Sequence, residues 1–565
     1  MATGARSKRK AGAPPWRRHF PDVARWDEPL EISTLAGLLS HSLRDFPDRP
    51  ALTFRATTIA YREFGGMVDR LAGGFHRLGV HRGQTVALYL PNTPWHPLCF
   101  FALTKIGVRV AHISALDAPR EIEHKIRDSG AVALITTNLP GLLPQAIAAV
   151  AHAPRLQVIV GDDARWGGLS PAIPFEVTEN VHQLDPLLRS EPYSGPEEPS
   201  PDDVALLQYT GGTTGLPKAA VITHGNLTAA VSMYRLWTDG ARPQPGEGRS
   251  LCVLPLFHIY ALTTVMLQAI REGAELILHA RFDATHVIED IEKRRVTGFA
   301  GVPTMWIAIA NQPDIEKRDF SSLLICASGG APMPFEMENR VVRIVGQRLR
   351  IGWGMTETAP AGTRVPTRAS ARAGLIGIPF PHVDMRIVSL DDPRRELGPD
   401  EAGEIAIRGA NVFRGYWNNE DETRSSFADG WFLTGDIGAM DAKGLFRILD
   451  RKKNMIISSG FNVYPTAIEN AIYEHPDVRE TIVIGVPDAY RGQAAKAFIS
   501  LKAGAQPPSL EELQTFLSTR LGRHEIPTAL EIREELPRSP AGKLLAKVLI
   551  EEERSLAADR PRQAS

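Results

Sequence analysis

The residues best suited to chemistry lie in a short run of glycine and threonine that ends in a lysine, residues 210–218. Glycines let a backbone turn tightly, so bare N–H groups, threonine hydroxyls and the Lys218 ammonium can together surround phosphate oxygens. The run is not a Walker loop, because Pro217 precedes the lysine and Ala219 follows it. A polar hairpin turn is the alternative interpretation, and this run alone does not exclude it.

A second group lies in the glycine-rich turn at residues 352–358. Trp353 stands between two glycines, where its ring can lie against a nucleobase, and Thr356 can reach a phosphate oxygen. Glu357 can hold Mg²⁺, which prefers oxygen ligands. The alternative is purely structural, a strand that turns into a helix with Thr356 or Thr358 as its cap.

A third group combines a Thr-Gly-Asp turn ending at Asp436 with the arginine at position 451. One carboxylate can accept two hydrogen bonds at once, which suits the pair of hydroxyls on a ribose. Arg451 can reinforce the ribose or a phosphate. Taken alone, such a turn is also an ordinary surface turn.

Two isolated residues complete the candidates. Lys543 ends the loop 538–543, in which a proline and a glycine favour an exposed, movable cation; solvated surface charge is the alternative. His258 follows the apolar residues 254–257. A buried core histidine is a more ordinary interpretation of it than a catalyst.

The elements that must position these residues alternate between short apolar runs and helical patterns. Apolar runs at residues 204–207 and 219–222 predict two buried strands that flank the glycine-rich loop. The same alternation predicts strands or helices at residues 85–90, 95–106, 108–113, 119–128, 251–254, 263–272, 276–278, 285–294, 298–301, 305–311 and 323–327. This order is typical of an α/β fold with a mostly parallel sheet covered by helices.

The pattern then changes twice. It becomes rich in strands and turns from about residue 383, which predicts a barrel-like part. A compact α+β unit follows residues 451–453, with helices predicted at 465–474 and 510–521, strands at 481–485 and 497–501, and a capping box formed by Ser509 and Glu512. We therefore predict a basic flexible tail over residues 1–30, a large multi-subdomain domain over 31–451, and a small mobile domain over 454–565.

Composition argues for a globular protein without a nucleic-acid partner. The chain is 43% hydrophobic and 23% charged, as globular proteins are, and its formal net charge of −1 creates no field that attracts nucleic acid. Three separate cysteines in apolar surroundings predict small buried side chains rather than a metal site or disulfides. Residues 251–270 contain no Asp, Glu, Lys or Arg, but Pro255 interrupts the run, so we interpret it as buried core and not as a membrane-spanning helix. We therefore expect a cytoplasmic protein with at most peripheral membrane contact.

Taken together, the motifs resemble in order and spacing the adenylate-forming superfamily: acyl-CoA synthetases, firefly luciferase and the adenylation domains of peptide synthetases. The resemblance runs from about residue 35 to residue 550. Residues 450–465, 254–262 and 328–333 look most like bacterial long- and medium-chain fatty-acid CoA ligases. The resemblance implies that the protein activates a fatty acid as an acyl-adenylate, with ATP and Mg²⁺, and then transfers the acyl group to CoA.

The resemblance also implies a role for each candidate residue. For the nucleotide, it assigns the phosphate loop to Thr210, Gly211, Gly212, Thr213, Thr214, Gly215 and Lys218, the α-phosphate contact to Thr356, Mg²⁺ to Glu357, and the ribose to Asp436 and Arg451. It assigns the adenine and acyl sites to Gly330, Ala331, Trp353 and Gly354, and part of the acyl channel to His258. It makes Lys543 the catalytic cation and Lys453 the hinge, and it places Ser459, Gly460 and Phe461 along the pantetheine channel.

Three departures from the family pattern are visible. Trp353 stands where tyrosine or another aromatic residue is usual, Ala219 replaces a frequent glycine, and the basic run after Lys543 is reduced. The alternatives left open are a fatty-acyl-AMP ligase, an aromatic-acid CoA ligase, and a catalytically inactive AMP- or acyl-binding scaffold. Acyl chain length and a homodimeric state also stay open.

Overall fold

The protein forms a large α/β lobe followed by a small α+β lobe, as predicted. The computed structural model describes residues 14–21, 25–168, 172–195, 198–210, 216–237, 240–331, 333, 335–369, 374–459, 461–488, 490–538 and 544–558. No helix within these ranges is long and apolar enough to cross a membrane.

One sheet of the large lobe carries the strands that flank the glycine-rich loop. In spatial order its seven strands are Val181–Gln183, Gln157–Gly161, Ala131–Thr137, Thr85–Leu88, Arg109–His112, Val204–Thr210 and Lys218–Thr223. All neighbours are parallel except the last two, which form an antiparallel hairpin. The prediction of two strands around the loop is therefore confirmed.

The second sheet of the large lobe changes from parallel to antiparallel pairing beside Trp353. Its strands follow the spatial order Asp384–Val388, Gly403–Arg408, Trp431–Met440, Phe446–Arg451, Leu375–Pro379, Thr363–Arg364, Leu349–Trp353, Ile325–Ser328, Gly298–Gly301, Arg249–Cys252, Glu275–Leu278, Pro50–Phe54 and Thr57–Ala60, with Phe427–Ala428 paired to the third. Pairing is parallel from Leu349–Trp353 to Pro50–Phe54 and antiparallel beyond either end. The antiparallel part is the strand-rich region that the sequence predicts, but it begins at Thr363–Arg364, before the predicted start at about residue 383.

Helices cover both sheets of the large lobe. The described α-helices are Leu35–Asp45, Tyr61–Arg77, Trp95–Lys105, Pro119–Ser129, Leu143–His152, His224–Leu236, Ile259–Ala261, Gln268–Arg271, Ala284–Lys293, Pro303–Ala310, Phe335–Val345 and Glu420–Ser425. Helix Trp95–Lys105 is apolar on every side and buried over almost its whole length, as expected for a helix enclosed by other layers.

A π-helix replaces part of one predicted α-helix. The sequence predicts a single helix over residues 263–272, whereas residues Leu262–Leu267 form a π-helix that continues into the α-helix Gln268–Arg271. A π-turn holds one more residue than an α-turn, and apolar periodicity does not reveal that insertion. Such turns often mark functional sites.

The small lobe is an antiparallel sheet covered by helices. Its strands lie in the order Phe461–Val463, Ile456–Ser458, Gly492–Leu501 and Val478–Asp488, and Ala529–Ile532 pairs in parallel with Gly492–Leu501. Its helices are Pro465–Tyr473, Leu510–Ser518 and Ala546–Ala558. The predicted capping box is present, because Glu512 N–H donates to Ser509 Oγ at 3.2 Å and Ser509 N–H donates to Glu512 Oε2 at 2.7 Å.

Part of the predicted N-terminal tail is packed against the large lobe. Trp16, in the 3₁₀-helix Pro15–His19, is only 6% exposed, and its ring lies 5.7 Å from that of Phe446. The ring of Phe20 lies 4.2 Å from that of Trp26. The interpretation of residues 1–30 as a flexible tail therefore does not extend to these aromatic residues, which pack against the core of the large lobe. The three cysteines are buried, as predicted.

Candidate functional site

The hairpin Val204–Thr210 to Lys218–Thr223 places a half-exposed lysine at the start of its second strand. Thr210 and Lys218 are paired in register, and the Thr210 hydroxyl donates to the Lys218 carbonyl at 3.4 Å. Lys218 Nζ lies 2.6 Å from Glu422 Oε1 and 5.8 Å from the ring centre of Tyr416. The lysine is thus held by a carboxylate and an aromatic face.

The second candidate turn buries its carboxylate. Glu357 lies in the 3₁₀-turn Thr356–Thr358 and is 5% exposed, and its Oε1 accepts a hydrogen bond from the Tyr416 hydroxyl at 2.9 Å. Burial raises the pKa of Glu357, while the Tyr416 hydrogen bond and the Arg451 charge act in the opposite direction. A buried carboxylate with a raised pKa is one that a nearby cation would stabilise.

Backbone packing at this turn accounts for one of its glycines. A Cβ added at Gly354 would lie 1.5 Å from the Pro360 carbonyl oxygen, so no other residue fits without moving the turn. Thr358 also holds the turn, because its hydroxyl accepts from Met355 N–H at 3.0 Å. The alternative capping role considered for Thr358 is therefore present in this turn, together with a buried carboxylate.

A buried cluster joins the third candidate group to Trp353. The Trp353 indole N–H donates to Asp436 Oδ2 at 2.7 Å, and Arg451 Nε lies 2.5 Å from Asp436 Oδ1. Asp436 and Arg451 face each other in register on neighbouring strands, and Asp436 is fully buried. One hydrogen bond and one ion pair thus join these three residues, which span nearly a hundred positions, and we name them the Asp436 cluster.

A segment that the sequence interpretation missed joins these parts. Phe413 N–H donates to the Glu357 carbonyl at 2.9 Å, while Arg414 N–H donates to the Val221 carbonyl at 3.0 Å and Trp417 N–H to the Ala219 carbonyl at 2.8 Å. The segment Phe413–Trp417 therefore bonds both to the strand after the glycine-rich loop and to the Glu357 turn. Its one sequence signal was an aromatic pair after Gly415, which reads as an ordinary turn.

A side-chain amide fixes the start of that segment. Asn411 is fully buried and its amide donates to the carbonyls of Thr358 and Ala361, at 2.8 and 2.5 Å. Asn226, on the helix after the hairpin, donates to the Ala410 and Val412 carbonyls at 2.8 and 2.9 Å. Through these two amides, the chain that leads into the segment Phe413–Trp417 is bonded both to the helix after the hairpin and to the Glu357 turn.

His258 is exposed, so its interpretation as a buried core histidine is wrong. Its Nδ1 accepts a hydrogen bond from Tyr260 N–H at 3.2 Å and caps the short helix Ile259–Ala261. The apolar run ends one residue earlier, because the helix start needs a polar cap at this position.

The predicted adenine and acyl residues lie at the end of a neighbouring parallel strand. Gly330 and Ala331 follow the strand Ile325–Ser328, and Gly330 has φ +79°, a conformation that favours glycine. The π-helix and the helix Pro303–Ala310 contribute to the same apolar cluster, since Val302 and Met305 pack against a core that contains Leu262. Apolar side chains therefore lie next to Gly330, since a Cβ added there would lie 3.4 Å from the Val302 side chain.

The predicted hinge lies between two anchored strands. Lys453 is exposed in the turn between Phe446–Arg451 and Ile456–Ser458. On its large-lobe side, Lys452 Nζ lies 2.8 Å from Glu404 Oε2. Asp450 Oδ2 accepts from the Thr466 N–H at 2.8 Å, which ties the helix Pro465–Tyr473 of the small lobe to that strand.

The channel residues of the small lobe lie on an exposed hairpin. Ser459 has φ +51°, and Phe461 is 57% exposed with its ring 4.9 Å from that of His524.

Seven predicted site residues lie outside the described residues: Gly211, Gly212, Thr213, Thr214, Gly215, Gly460 and Lys543.

The donor set around Glu357 fits a magnesium ion carried by a nucleotide. Within the described part of the chain, no group of three or more His, Cys, Asp or Glu residues could hold a metal. Mg²⁺ in phosphate-transfer sites commonly takes one or two protein carboxylates and completes its shell with substrate phosphates and water. The single buried carboxylate of Glu357 meets that requirement.

Comparisons with known proteins find relatives along nearly the whole chain. A family model described as AMP-binding enzyme matches residues 39–417, and one described as AMP-binding enzyme C-terminal domain matches residues 467–543. A long-chain-fatty-acid–CoA ligase from Bacillus subtilis (strain 168) is 35% identical over 558 residues, which cover 95% of this chain and 98% of that protein.

Two further relatives differ in the acid named. A feruloyl-CoA synthase from an Amycolatopsis species is 36% identical over 502 residues, which cover 88% of this chain and 95% of that protein. The solved structure of o-succinylbenzoate coenzyme A synthetase from Bacillus subtilis, in complex with ATP and magnesium ion, is 28% identical. It has a TM-score of 0.76 and covers 90% of this chain and 98% of its own.

Proposed function

The chain belongs to the AMP-binding enzyme family, and from that premise we propose that it activates a long- or medium-chain fatty acid as an acyl-adenylate and transfers the acyl group to CoA. The products are acyl-CoA, AMP and pyrophosphate. The observation that carries the proposal is the convergence of Lys218, Glu357 and the Asp436 cluster, which come from distant parts of the sequence.

The first half-reaction must bring two anions together. The acid carboxylate attacks the α-phosphorus of ATP, and pyrophosphate leaves in line. The Glu422 carboxylate, 2.6 Å from Lys218 Nζ, occupies the position beside this cation that a phosphate can take over. The phosphate loop, with Lys218 and Thr356, orients the triphosphate, and Lys543 enters from the small lobe to offset the charge that develops.

Glu357 and Asp436 hold opposite ends of the nucleotide in this proposal. Glu357 holds Mg²⁺, which neutralises phosphate charge when it is bound with ATP. Asp436 accepts the ribose hydroxyls with Arg451 beside it, and Trp353 places its ring next to the adenine. Gly330, Ala331 and Gly354 line the remaining wall.

The second half-reaction requires a different set of groups at the same carbonyl carbon. CoA approaches through a channel bordered by Ser459, Gly460 and Phe461, and its thiol displaces AMP. We propose that the small lobe, residues 454–565, turns about Lys453 between the two steps, while residues 31–451 keep the adenylate in place. A few residues between rigid elements are sufficient for such a motion.

The apolar side chains around the π-helix Leu262–Leu267 support the fatty-acid assignment. Leu256, Ile259, Leu262 and Met266 are buried, and the start of the helix Pro303–Ala310 packs against the same cluster. We propose that His258 lies at the mouth of this acyl channel. Each methylene buried there adds up to about 0.8 kcal/mol, which is roughly fourfold in affinity.

An aromatic acid is the second candidate substrate. The feruloyl-CoA synthase relative has nearly the same identity to this chain as the fatty-acid ligase relative, over a somewhat smaller share of the chain. A fatty-acyl-AMP ligase would instead stop at the adenylate, and an inactive scaffold would bind AMP without turnover.

The discriminating experiment is a panel of acids assayed for AMP release with and without CoA. The panel contains acetate, medium-chain and long-chain fatty acids, benzoate, cinnamate and ferulate. We expect efficiency to rise from acetate through the medium chains and then level off, with AMP release dependent on CoA. A best rate with ferulate would overturn the fatty-acid assignment. Accumulation of acyl-adenylate without AMP release, even when CoA is present, would indicate the acyl-AMP ligase.

A further inference from the structure

Tyr416 lies between the two groups proposed to hold the phosphates, yet it belongs to neither of their motifs. Its hydroxyl donates to Glu357 Oε1 at 2.9 Å, and its ring centre lies 5.8 Å from Lys218 Nζ. The Tyr416 side chain thus contacts both of these polar groups. These contacts suggest that Tyr416 has a role in the site in addition to packing.

The backbone around Tyr416 is held from two sides. Tyr416 forms a β-bridge with Ala220, on the strand that follows the glycine-rich loop. Its own N–H donates to Thr423 Oγ1 at 2.8 Å, and Thr423 lies on the helix Glu420–Ser425 that also carries Glu422. The ring and hydroxyl are consequently fixed relative to the Lys218 strand.

The same segment fixes the backbone of Glu357. Phe413 N–H donates to the Glu357 carbonyl at 2.9 Å, three residues before the tyrosine that holds the side chain. Glu357 is therefore restrained at both its main chain and its carboxylate by one short segment. With Oε1 restrained by the hydroxyl, the direction in which the carboxylate presents Oε2 is also set.

We propose that Tyr416 is a positioning residue that orients the Glu357 carboxylate toward the magnesium ion of Mg²⁺·ATP. The proposal rests on the proposed function, since it assumes that Glu357 meets that ion. Partners that hydrogen-bond a metal-binding carboxylate typically change metal affinity by about 10- to 100-fold when they are removed. The phenol is suited to this role because it donates one hydrogen bond and adds no charge.

The test measures binding of α,β-methylene-ATP, which cannot form an adenylate, by calorimetry over a series of Mg²⁺ concentrations and in EDTA. In Tyr416→Phe we expect the Mg²⁺ concentration for half-maximal binding to rise about tenfold, because only the metal-dependent part of binding uses the oriented carboxylate. In EDTA the variant and the wild type should bind the analogue equally.

Tyr61→Phe is the matched control. The Tyr61 hydroxyl donates to the backbone carbonyl of Ala274 at 2.7 Å and is remote in the chain from every candidate residue. Its loss lowers stability but leaves the Mg²⁺ dependence at the wild-type value. Thermal unfolding of both variants without nucleotide separates a folding defect from a binding defect.

A second variant keeps the proposal testable where Tyr416→Phe does not fold. Thr423→Val removes the acceptor of the Tyr416 N–H while keeping the side-chain shape, and we expect a smaller shift in Mg²⁺ dependence in the same direction. An unchanged Mg²⁺ dependence, or an equal loss of binding with and without Mg²⁺, would overturn the role of Tyr416. A wild-type protein that does not bind the analogue at all would instead contradict the proposed function itself.

Discussion

The two ends of the proposed nucleotide site are built in different ways. At the phosphate end, Lys218 and Glu422 form an ion pair whose side chains are 38% and 39% exposed. At the ribose end, Asp436 is fully buried and both of its oxygens are engaged, one by Trp353 and the other by Arg451. The phosphate end is thus an exposed ion pair whose partners can exchange, whereas the ribose end is a buried cluster whose side chains are fixed.

The difference indicates how each end accepts its part of the ligand. An exposed ion pair is worth only about 0–1 kcal/mol, so a phosphate group can displace Glu422 from Lys218 at little cost. A buried carboxylate held by two donors has little freedom left to lose when it binds, which is the advantage of preorganisation. We therefore expect large effects from the buried carboxylates and small ones from the surface pair.

The largest effect is expected from Glu357→Gln. Removing the buried charge that faces the metal should lower kcat/KM for ATP by about 100-fold or more. Glu469→Gln is the control, since Glu469 also has a raised pKa, of about 7, caused mainly by burial, and accepts a bond from the Val483 N–H at 2.8 Å. Steady-state rates over a series of Mg²⁺ concentrations give the answer. Near-wild-type rates at ordinary Mg²⁺ would remove Glu357 from the site.

The next largest effect is expected from Asp436→Asn, which keeps the shape of the side chain but removes its charge. Hydrogen bonds to a charged group are worth about 1.5–3 kcal/mol, so losing the charge beneath two ribose hydroxyls should raise the Kd for ATP by about 100-fold. Asp163→Asn is a matched control, because Asp163 is also fully buried and lies 3.0 Å from Arg55. If both variants bind ATP equally well, the ribose role is wrong.

A smaller effect is expected from Trp353→Phe, which keeps an aromatic face but removes the N–H that holds Asp436. The loss of one hydrogen bond to a carboxylate should raise the Kd for ATP by about tenfold. Trp306→Phe removes a comparable indole bond, to the Ala327 carbonyl at 2.9 Å, and should leave ATP binding unchanged. An unchanged Kd in Trp353→Phe would reduce Trp353 to a stacking surface.

The smallest effect is expected from Glu422→Gln. Removing the carboxylate that competes for Lys218 should lower the KM for ATP by no more than about threefold, because an exposed pair contributes less than 1 kcal/mol. Glu420→Gln, on the same short helix, is the control. A rise in KM would show that Glu422 helps to hold the nucleotide, and the contrast between the two ends would then disappear.

Sequence reasoning was sufficient where residue type and local spacing carry the information. The glycine-rich loop, the Glu357 turn and the Thr-Gly-Asp turn were each visible because glycines and polar side chains cluster there. The strands around the loop followed from apolar runs, and they are observed at Val204–Thr210 and Lys218–Thr223.

The residues that sequence reasoning missed act through long-range backbone contacts. Tyr416 reaches Glu357 across 59 positions, and the segment around it joins two sheets by main-chain hydrogen bonds that any residue except proline can make. No local pattern marks such a segment. The π-helix at Leu262–Leu267 was missed for a related reason, because its extra residue leaves the apolar character of the run unchanged.

The most direct test of the account compares the two half-reactions in Lys543→Ala, with Lys547→Ala as the matched lysine control. Adenylate formation is followed by acid-dependent exchange of pyrophosphate into ATP, and thioester formation is followed from synthetic acyl-adenylate and CoA. We predict that Lys543→Ala loses exchange by about 10²–10³-fold, the scale of one lost preorganised donor, while thioester formation stays substantial. Intact exchange, or an equal loss of both activities in a folded variant, would contradict the account.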